Sequence, residues 1–314
     1  MKKLLCLLLF LSLMFSCALA EGAHVAALKG PTAMGMVKMM NDDAGENYAF
    51  EILASADEIT PRLTQGEIDI AALPANLASV LYNRTGGELK VLAINTLGVL
   101  YIAERGDSIH SVADLAGRTI YTAGKGSTPE FALNYILSAN GLTPGEDVTI
   151  EFKSEHSECL AALMADDQAA AMLPQPFLTT AMIQAEDVRA ALDLTEEWDK
   201  LQGEDGSAMI TGVVVARSEF IENNPEIVEK FLTDYAASVE FTQTNAAEAA
   251  ALIGEYDIVP AAVAEKALPG CNICLFTGDI MRLKLSGYLE VLFNAAPESV
   301  GGALPDEGFY YSAE

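Results

Sequence analysis

The chain has 314 residues, of which 51% are hydrophobic and 20% are charged, and its formal net charge at pH 7 is −27. This composition is typical of a globular protein with one or two domains. Such an excess of acidic groups repels phosphate backbones, so we predict no nucleic-acid partner.

The first twenty residues have the form of a secretory signal peptide. Two lysines precede an apolar core over residues 4–15, which is too short to span a bilayer. A small-residue pattern favours cleavage after Ala20, and the segment that ends at Cys17 is a poorer version of a lipoprotein site. We therefore expect an extracytoplasmic protein, periplasmic or at the cell surface, with a lipid anchor on Cys17 left open.

From His24 onward, predicted strands and helices alternate. In the first half, we predict strands at residues 25–28, 49–54, 68–73, 90–95 and 99–103, with helices at 33–40, 58–65 and 75–82. In the second half, strands are predicted at 119–123, 148–152, 168–173, 189–194 and 209–216, with helices at 129–139, 158–165 and 177–184. The rest is predicted helical, at 225–244, 246–255, 261–267 and 281–293. This alternation predicts an α/β fold with mostly parallel sheets.

Two patterns occur once in each half of the chain. Residues 29–32 (Lys-Gly-Pro-Thr) follow the first strand, and residues 125–128 (Lys-Gly-Ser-Thr) follow a strand 96 positions later. A Leu-Pro pair ends a buried strand at Pro74 and again at Pro174. The repeat predicts two similar lobes. Because ligands of such sheets bind at the carboxyl ends of the strands, it also predicts a cleft between the lobes.

The second of these loops opens a helix. Ser127 and Glu130 have the spacing of a capping box, and free backbone N–H groups at a helix start can bind a ligand. An ordinary strand-to-helix connection has the same pattern. The loop lacks the glycine spacing of a P-loop or of a dinucleotide fingerprint.

Other reactive residues give weak patterns. Cys271 and Cys274 form an isolated pair, for which buried thiols or a local bridge are favoured over a zinc site. His156 lies three residues before Cys159, but no third member of a catalytic group is apparent, so we place His156 at the cleft rim or on the surface. We predict no catalytic residue, no metal and no cofactor.

Taken together, the order and spacing of several segments resemble the substrate-binding proteins of ABC importers. The resemblance is to the nitrate/sulfonate/taurine and thiamine-pyrimidine-precursor group. It covers most of the mature chain through residues 30–32 (Gly-Pro-Thr), 65–70 (Gln-Gly-Glu-Ile-Asp-Ile), 111–120 (Ser-Val-Ala-Asp-Leu-Ala-Gly-Arg-Thr-Ile), 174–177 (Pro-Gln-Pro-Phe) and 212–216 (Gly-Val-Val-Val-Ala).

The resemblance implies a type 2 periplasmic-binding-protein fold. Two doubly wound lobes would be joined by two crossover strands, with a ligand cleft between them and a helical C-terminal part. The first lobe would be residues 21–103 and 212–314, and the second 104–211. The chain would be a monomer that binds a small molecule and delivers it to an ABC permease in the membrane.

Ligand contacts are expected at the strand ends and from the resemblance, on which Thr96 mainly rests. The candidates are Gly30, Pro31, Thr32, Asn76, Thr96, Gly126, Ser127, Thr128 and Gln175. Lys29 and Lys125 near the cleft indicate an anionic or zwitterionic ligand. Glu130 already places a carboxylate at its helix start, which argues against a bare oxyanion such as nitrate.

Two other functions remain open on the sequence. The same family includes a pyrimidine-synthase-like enzyme, but its cysteine-rich iron-binding motif is absent from this sequence. The chain could also be the receptor of a transporter that is not driven by ATP, or the outer domain of a sensor.

Overall fold

The computed structural model describes residues 22–166, 168–202 and 207–312. The predicted signal peptide, with its candidate sites at Ala20 and Cys17, lies outside the described residues. Within those ranges, no helix is both long and apolar enough to cross a membrane.

The described residues form eleven strands in two sheets. The strands are β1 (Ala23–Leu28), β2 (Tyr48–Leu53), β3 (Ile70–Pro74), β4 (Leu89–Leu97), β5 (Leu100–Arg105), β6 (Thr119–Thr122), β7 (Thr149–Phe152), β8 (Ala170–Pro174), β9 (Val188–Asp193), β10 (Ile210–Arg217) and β11 (Ile273–Phe276). The first sheet has the order β11-β4-β10-β3-β1-β2, and the second has the order β7-β6-β8-β5-β9.

Helices connect and cover these strands. They are α1 (Pro31–Met34), α2 (Val37–Asp43), α3 (Ala56–Gln65), α4 (Ala75–Thr85), α5 (Thr128–Ala139), α6 (His156–Ala165), α7 (Phe177–Gln184), α8 (Leu194–Gln202), α9 (Ser218–Asn223), α10 (Pro225–Thr244), α11 (Ala246–Glu255), α12 (Ala261–Ala267) and α13 (Gly278–Ala295). The α/β class, the two wound sheets and the helical C-terminal part are thus as predicted.

The two sheets repeat one arrangement. In the first, β1 lies between parallel neighbours β2 and β3, and β10 runs antiparallel beside β3. In the second, β6 lies between parallel neighbours β7 and β8, and β5 runs antiparallel beside β8. β3 and β8 have the same length and the same burial pattern, and each ends in the repeated Leu-Pro pair. The internal repeat of the sequence is therefore a repeat of structure.

The chain crosses between the sheets twice. Gly98 and Val99 join β4 of the first sheet to β5 of the second, and the segment after α8 returns the chain to β10. A Cβ atom at Gly98 would lie 2.2 Å from both Met209 Cε and Thr195 Oγ1, so the first crossing passes directly against the second. Position 98 is therefore occupied by glycine because no larger residue fits there without displacing these side chains.

Three elements differ from the sequence-based expectation. The helix predicted at 33–40 is two short helices, separated at Gly35, where a Cβ would lie 2.9 Å from Ile273 Cγ2. Within the mainly helical C-terminal part, one strand was not predicted: β11, which pairs with β4 at the sheet edge. α8 was not predicted, because the sequence analysis ends a strand at Leu194 and assigns no element to residues 195–202.

The C-terminal segment lies along α4. A 3₁₀ turn at Pro297–Val300 follows α13, and Tyr310 then pairs with Val91 on β4. Asn83 Nδ2 donates to the carbonyl oxygens of Val300 and Ala303 at 3.0 and 2.7 Å. These contacts fix the segment beside a helix whose first turn borders the cleft.

Candidate functional site

A cavity of about 550 Å³ lies between the two sheets. Pro74 and Asn76 line it from the first sheet, and Thr128 and Pro174 from the second. Val99, in the first crossing, also borders it. The volume is within the usual range for small-molecule sites, and sites between lobes are common.

Four helices begin at this cavity. The start of α3 at Ala56 is capped by the Ser55 side chain, whereas the starts of α4, α5 and α6 have no side-chain cap. α4, α5 and α6 each place first-turn residues in its wall. The first-turn N–H groups have no partner inside a helix, and a helix start carries a partial positive charge. The cavity therefore provides hydrogen-bond donors and a positive potential within a strongly acidic chain.

The loop before α5 differs from the predicted capping box. Ser127 Oγ does not cap the helix but donates to the carbonyl oxygen of Gly124 at 2.5 Å. Glu130 accepts from the backbone N–H of Gly126, also at 2.5 Å. Gly126 has a φ of +74°, a left-handed conformation that glycine adopts readily. The predicted contacts Gly126, Ser127 and Thr128 nevertheless all line the cavity.

A hydrogen bond joins the two sides of the cleft. Thr128 Oγ1 donates to Asn76 Oδ1 at 2.9 Å. The other atom of that amide, Nδ2, donates to the carbonyl oxygen of Ser299 at 3.2 Å, which fixes the orientation of the amide. The C-terminal segment thus orients a side chain that contacts the opposite lobe.

His156 is the functional candidate that sequence reasoning did not include among the contacts. It is the first residue of α6 and lines the cavity, and its ring lies 5.1 Å from that of Phe177. Its Nδ1 is buried and has no hydrogen-bond partner among the described residues. Burial lowers the pKa of His156, which favours the neutral ring. A helix start after a strand of the second lobe was the available sequence indication.

Five predicted contacts do not line the cavity, and four of them, Gly30, Pro31, Thr32 and Thr96, lie together inside the first lobe. Gly30 and Pro31 open the short helix α1, and the Thr32 hydroxyl donates to the carbonyl oxygen of Leu28 at 2.9 Å. Thr96 is fully buried, and its hydroxyl donates to Asn95 Oδ1 at 3.3 Å.

The side chains of Thr32, Asn95 and Thr96 pack around Gly212 inside the first lobe. A Cβ there would lie 2.6 Å from both Asn95 Oδ1 and Thr32 Cγ2, and 3.3 Å from Thr96 Cβ. Asn95 Nδ2 also donates to the carbonyl oxygen of Thr32 and to Tyr235 Oη, at 3.1 and 3.0 Å. The polar atoms of the group are therefore largely used inside the first lobe.

Gln175 lies at a different contact between the lobes. It is largely buried, and its Oε1 accepts from the Thr179 hydroxyl at 2.8 Å. A Cβ at Gly270 would meet Gln175 Nε2 at 3.0 Å, and Tyr101 Oη donates to the Gly270 carbonyl at 3.0 Å. This contact joins β5 and the start of α7 to the C-terminal part.

Neither lysine of the repeated loops has its ammonium free in the cavity. Lys29 Nζ pairs with Asp257 at 3.1 Å, and Lys125 Nζ lies 5.6 Å from the centroid of the Phe152 ring. The positive character of the cavity therefore comes from helix starts more than from these side chains.

The three cysteines that the structure describes do not form a reactive centre. Cys159, Cys271 and Cys274 are buried free thiols, and burial raises their pKa values to about 11, 12 and 12. A thiol at such a pKa carries almost no thiolate at neutral pH. Across the described part of the chain, no group of three His, Cys, Asp or Glu side chains is placed to hold a metal ion.

Solved structures share this fold at low sequence identity. An ABC transporter protein from Parabacteroides distasonis is 23% identical with a TM-score of 0.79, covering 94% of this chain and 100% of that one. The aliphatic sulphonate-binding protein SsuA of Escherichia coli is 16% identical with a TM-score of 0.73, covering 94% and 93%. The nitrate-binding protein NrtA of Synechocystis is 15% identical with a TM-score of 0.57, covering 77% and 68%.

The family comparison is more specific. No curated protein sequence matches the chain. A sequence model of the family described as "ABC transporter, phosphonate, periplasmic substrate-binding protein" matches residues 34–257, which is more than half of the chain. The chain therefore belongs to this family of ABC-transporter substrate-binding proteins, which confirms a solute-binding role outside the cytoplasm with a small molecule and an ABC permease as partners.

Proposed function

We propose that the chain captures a small organic ligand with an anionic head group in the cavity between its lobes. The observation that carries the proposal is the meeting of three helix starts without a side-chain cap, from both sheets, on one cavity of about 550 Å³. Closure of the lobes over the ligand would present it to the permease of an ABC importer.

The head group would lie between the starts of α5 and α6. A favourable helix terminus contributes up to about 2 kcal/mol to a bound charge, whereas micromolar binding requires about 8 kcal/mol. Side-chain hydrogen bonds must therefore add to the helix ends. We propose the side chains of Asn76, Ser127, Thr128 and His156 for this role, with Gly126 beside them in the wall, since all five residues line the cavity.

The other predicted contacts would support the wall behind the ligand. Gly30, Pro31 and Thr32 form the inner loop of the first lobe, and Thr96 packs beside them. Gln175 lies where the lobes meet beyond the cavity. We propose that these residues position the two lobes without contacting the head group.

A tetrahedral oxyanion on an organic group is the head group that we favour. The matching family is described by phosphonate, and one similar structure binds aliphatic sulphonates. The cavity is much larger than nitrate needs, and Glu130 already supplies a carboxylate beside Gly126. We therefore propose a phosphonate or a sulfonate with an organic extension.

Closure would involve two lobes, whose boundaries, predicted from the sequence at 103/104 and 211/212, we move to 99/100 and 209/210. Because β5 pairs in the second sheet and β10 in the first, we place the flexible points at Gly98 and Val99 and in the segment before β10. The bond from Thr128 to Asn76 would belong to the closed state. Small-angle scattering should show compaction on saturation, and unchanged dimensions would contradict this mechanism.

We propose binding rather than catalysis, in a monomer without cofactor or nucleic acid. The Cys159 thiol donates to the backbone oxygen of Glu155 at 3.4 Å, and its raised pKa disfavours a nucleophile beside His156. Cleavage after Ala20 is favoured over a lipid on Cys17. Product formation by the purified protein from a candidate substrate would revive the enzyme alternative.

The test begins with native mass spectrometry of ligand carried through purification, followed by a thermal-shift panel of alkylphosphonates and alkylsulfonates. We expect at least one to raise the melting temperature. Thr128→Val should reduce that shift, and Thr32→Val serves as the matched control in the inner loop. A panel without any shift, or equal losses in both variants, would contradict the proposed site.

A further inference from the structure

The cavity extends beyond the proposed head-group site along α4. Leu77, Val80 and Arg84 have the spacing of one helix face, and all three line the cavity. A helix rises 1.5 Å per residue, so the Cα of Arg84 lies about 12 Å along the axis from that of Asn76. Helical side chains lean toward the N terminus, which brings the guanidinium somewhat nearer to the head group.

Two opposite charges line this same cavity without being used elsewhere. Arg84 belongs to α4, and Glu298 belongs to the 3₁₀ turn beside it. Within the described ranges, neither side chain forms an ion pair or hydrogen bond with another side chain. By contrast, Arg62 and Arg217 each pair with a carboxylate at 2.7 Å.

The turn that carries Glu298 is fixed against α4. Asn76 donates to the carbonyl oxygen of Ser299 at 3.2 Å, and Ser79 Oγ donates to that of Val300 at 2.8 Å. The next residue, Gly301, approaches closely enough that a Cβ would lie 3.0 Å from the Cα of Val80. Glu298 is therefore kept at the cavity by its backbone, while its carboxylate remains available.

We infer that the cavity takes an elongated ligand whose far end is an amino-acid-like zwitterion. Its carboxylate pairs with Arg84, its ammonium pairs with Glu298, and an aliphatic spacer lies over Leu77 and Val80. A guanidinium suits a carboxylate because both are planar and can form two parallel hydrogen bonds. This inference rests on the proposed function, which supplies the oxyanion at the other end.

Two probes with the same head group test the far end by calorimetry. One is heptylphosphonate, and the other is an ω-phosphono-α-aminoheptanoate, which adds an ammonium and a carboxylate to the same chain. We expect the amino acid to bind about tenfold more tightly, the size of one charge-assisted hydrogen bond. Arg84→Gln and Glu298→Gln should each remove most of this preference.

Lys90→Gln is the matched control, because it removes one positive charge from a side chain outside the cavity wall. It should keep the preference of the wild type. Equal affinity of the two probes, or a preference that survives in both cavity variants, overturns the inference and leaves the proposed function standing. If wild-type protein binds neither heptylphosphonate nor its sulfonate counterpart, both are overturned.

Discussion

The two Lys-Gly loops occupy equivalent places in the two sheets but have different surroundings. The loop at 29–32 follows β1, and its Thr32 hydroxyl and Lys29 ammonium are both used within the first lobe. The loop at 125–128 follows β6, lines the cavity, and sends Thr128 across to Asn76. The repeat in sequence preserves the backbone position of the loop but not its surroundings.

The difference shows where the first lobe contacts the cavity. The first lobe contacts the cavity through the start of α4 after β3, where Pro74 and Asn76 line the wall. The inner loop instead opens the short helix α1, which ends at Gly35 against β11. The cavity wall therefore contains the equivalent strand ends at Pro74 and Pro174, but only the second of the two Lys-Gly loops.

The largest expected effect tests the packing of the inner loop. Gly212→Ala adds a Cβ that must displace Asn95 and Thr32, so we expect the free energy of unfolding to fall by about 3 kcal/mol. Urea unfolding of the wild type and the variant measures this difference in the free energy of unfolding.

The control for that change lies in the cavity loop. A Cβ at Gly126 meets no atom within 4 Å, so Gly126→Ala should cost only the backbone strain of its positive φ, about 1 kcal/mol. Equal losses for the two alanine variants would mean that the inner loop is not packed as described.

The second prediction separates binding from stability. Thr128→Val removes the donor to Asn76, and we expect the affinity for methylphosphonate to fall about tenfold, equivalent to about 1.4 kcal/mol. Thr32→Val should leave that affinity unchanged, although it loses a buried hydrogen bond. Titration calorimetry on both variants measures the difference, and the reverse pattern would place the ligand at the inner loop.

A third change weakens the C-terminal segment that orients Asn76. Asn83→Ala removes donors to Val300 and Ala303, and we expect a loss of about 1 kcal/mol in the free energy of unfolding. Affinity should fall only slightly, since Asn83 does not line the cavity. Unchanged stability in urea would show that the segment does not depend on these bonds.

The smallest expected effect concerns pH. Because burial lowers the pKa of His156 in the folded state, the unfolded state binds this proton more readily. The contribution to stability is therefore complete above about pH 6.5 and decreases as the pH falls below it. His156→Gln should show a weaker loss than wild type between about pH 7.5 and about pH 5 in urea unfolding. Identical losses would contradict a buried neutral ring.

The sequence predicted the architecture, but it did not predict which loops line the cavity. Alternating apolar strands and the Leu-Pro pairs specify backbone topology, so the two wound sheets followed directly. Whether a loop faces a cavity depends on distant residues, such as Ile273 against Gly35. The hydrogen bond from the Gly126 N–H to Glu130 also occurs beside a positive φ at Gly126, which residue spacing does not reveal. His156 was predicted only at the cleft rim or on the surface, because its contact with Phe177 depends on residues that meet only in the fold.

The central claim is that ligand binds between the starts of α4, α5 and α6 and not at the inner loop. Threonine methyl NMR on labelled protein, titrated with methylphosphonate, tests it most directly. We predict that the methyl signal of Thr128 shifts strongly as ligand is added, while the methyl signals of Thr32 and Thr96 shift little. A strong shift at Thr32 with none at Thr128 would contradict the account.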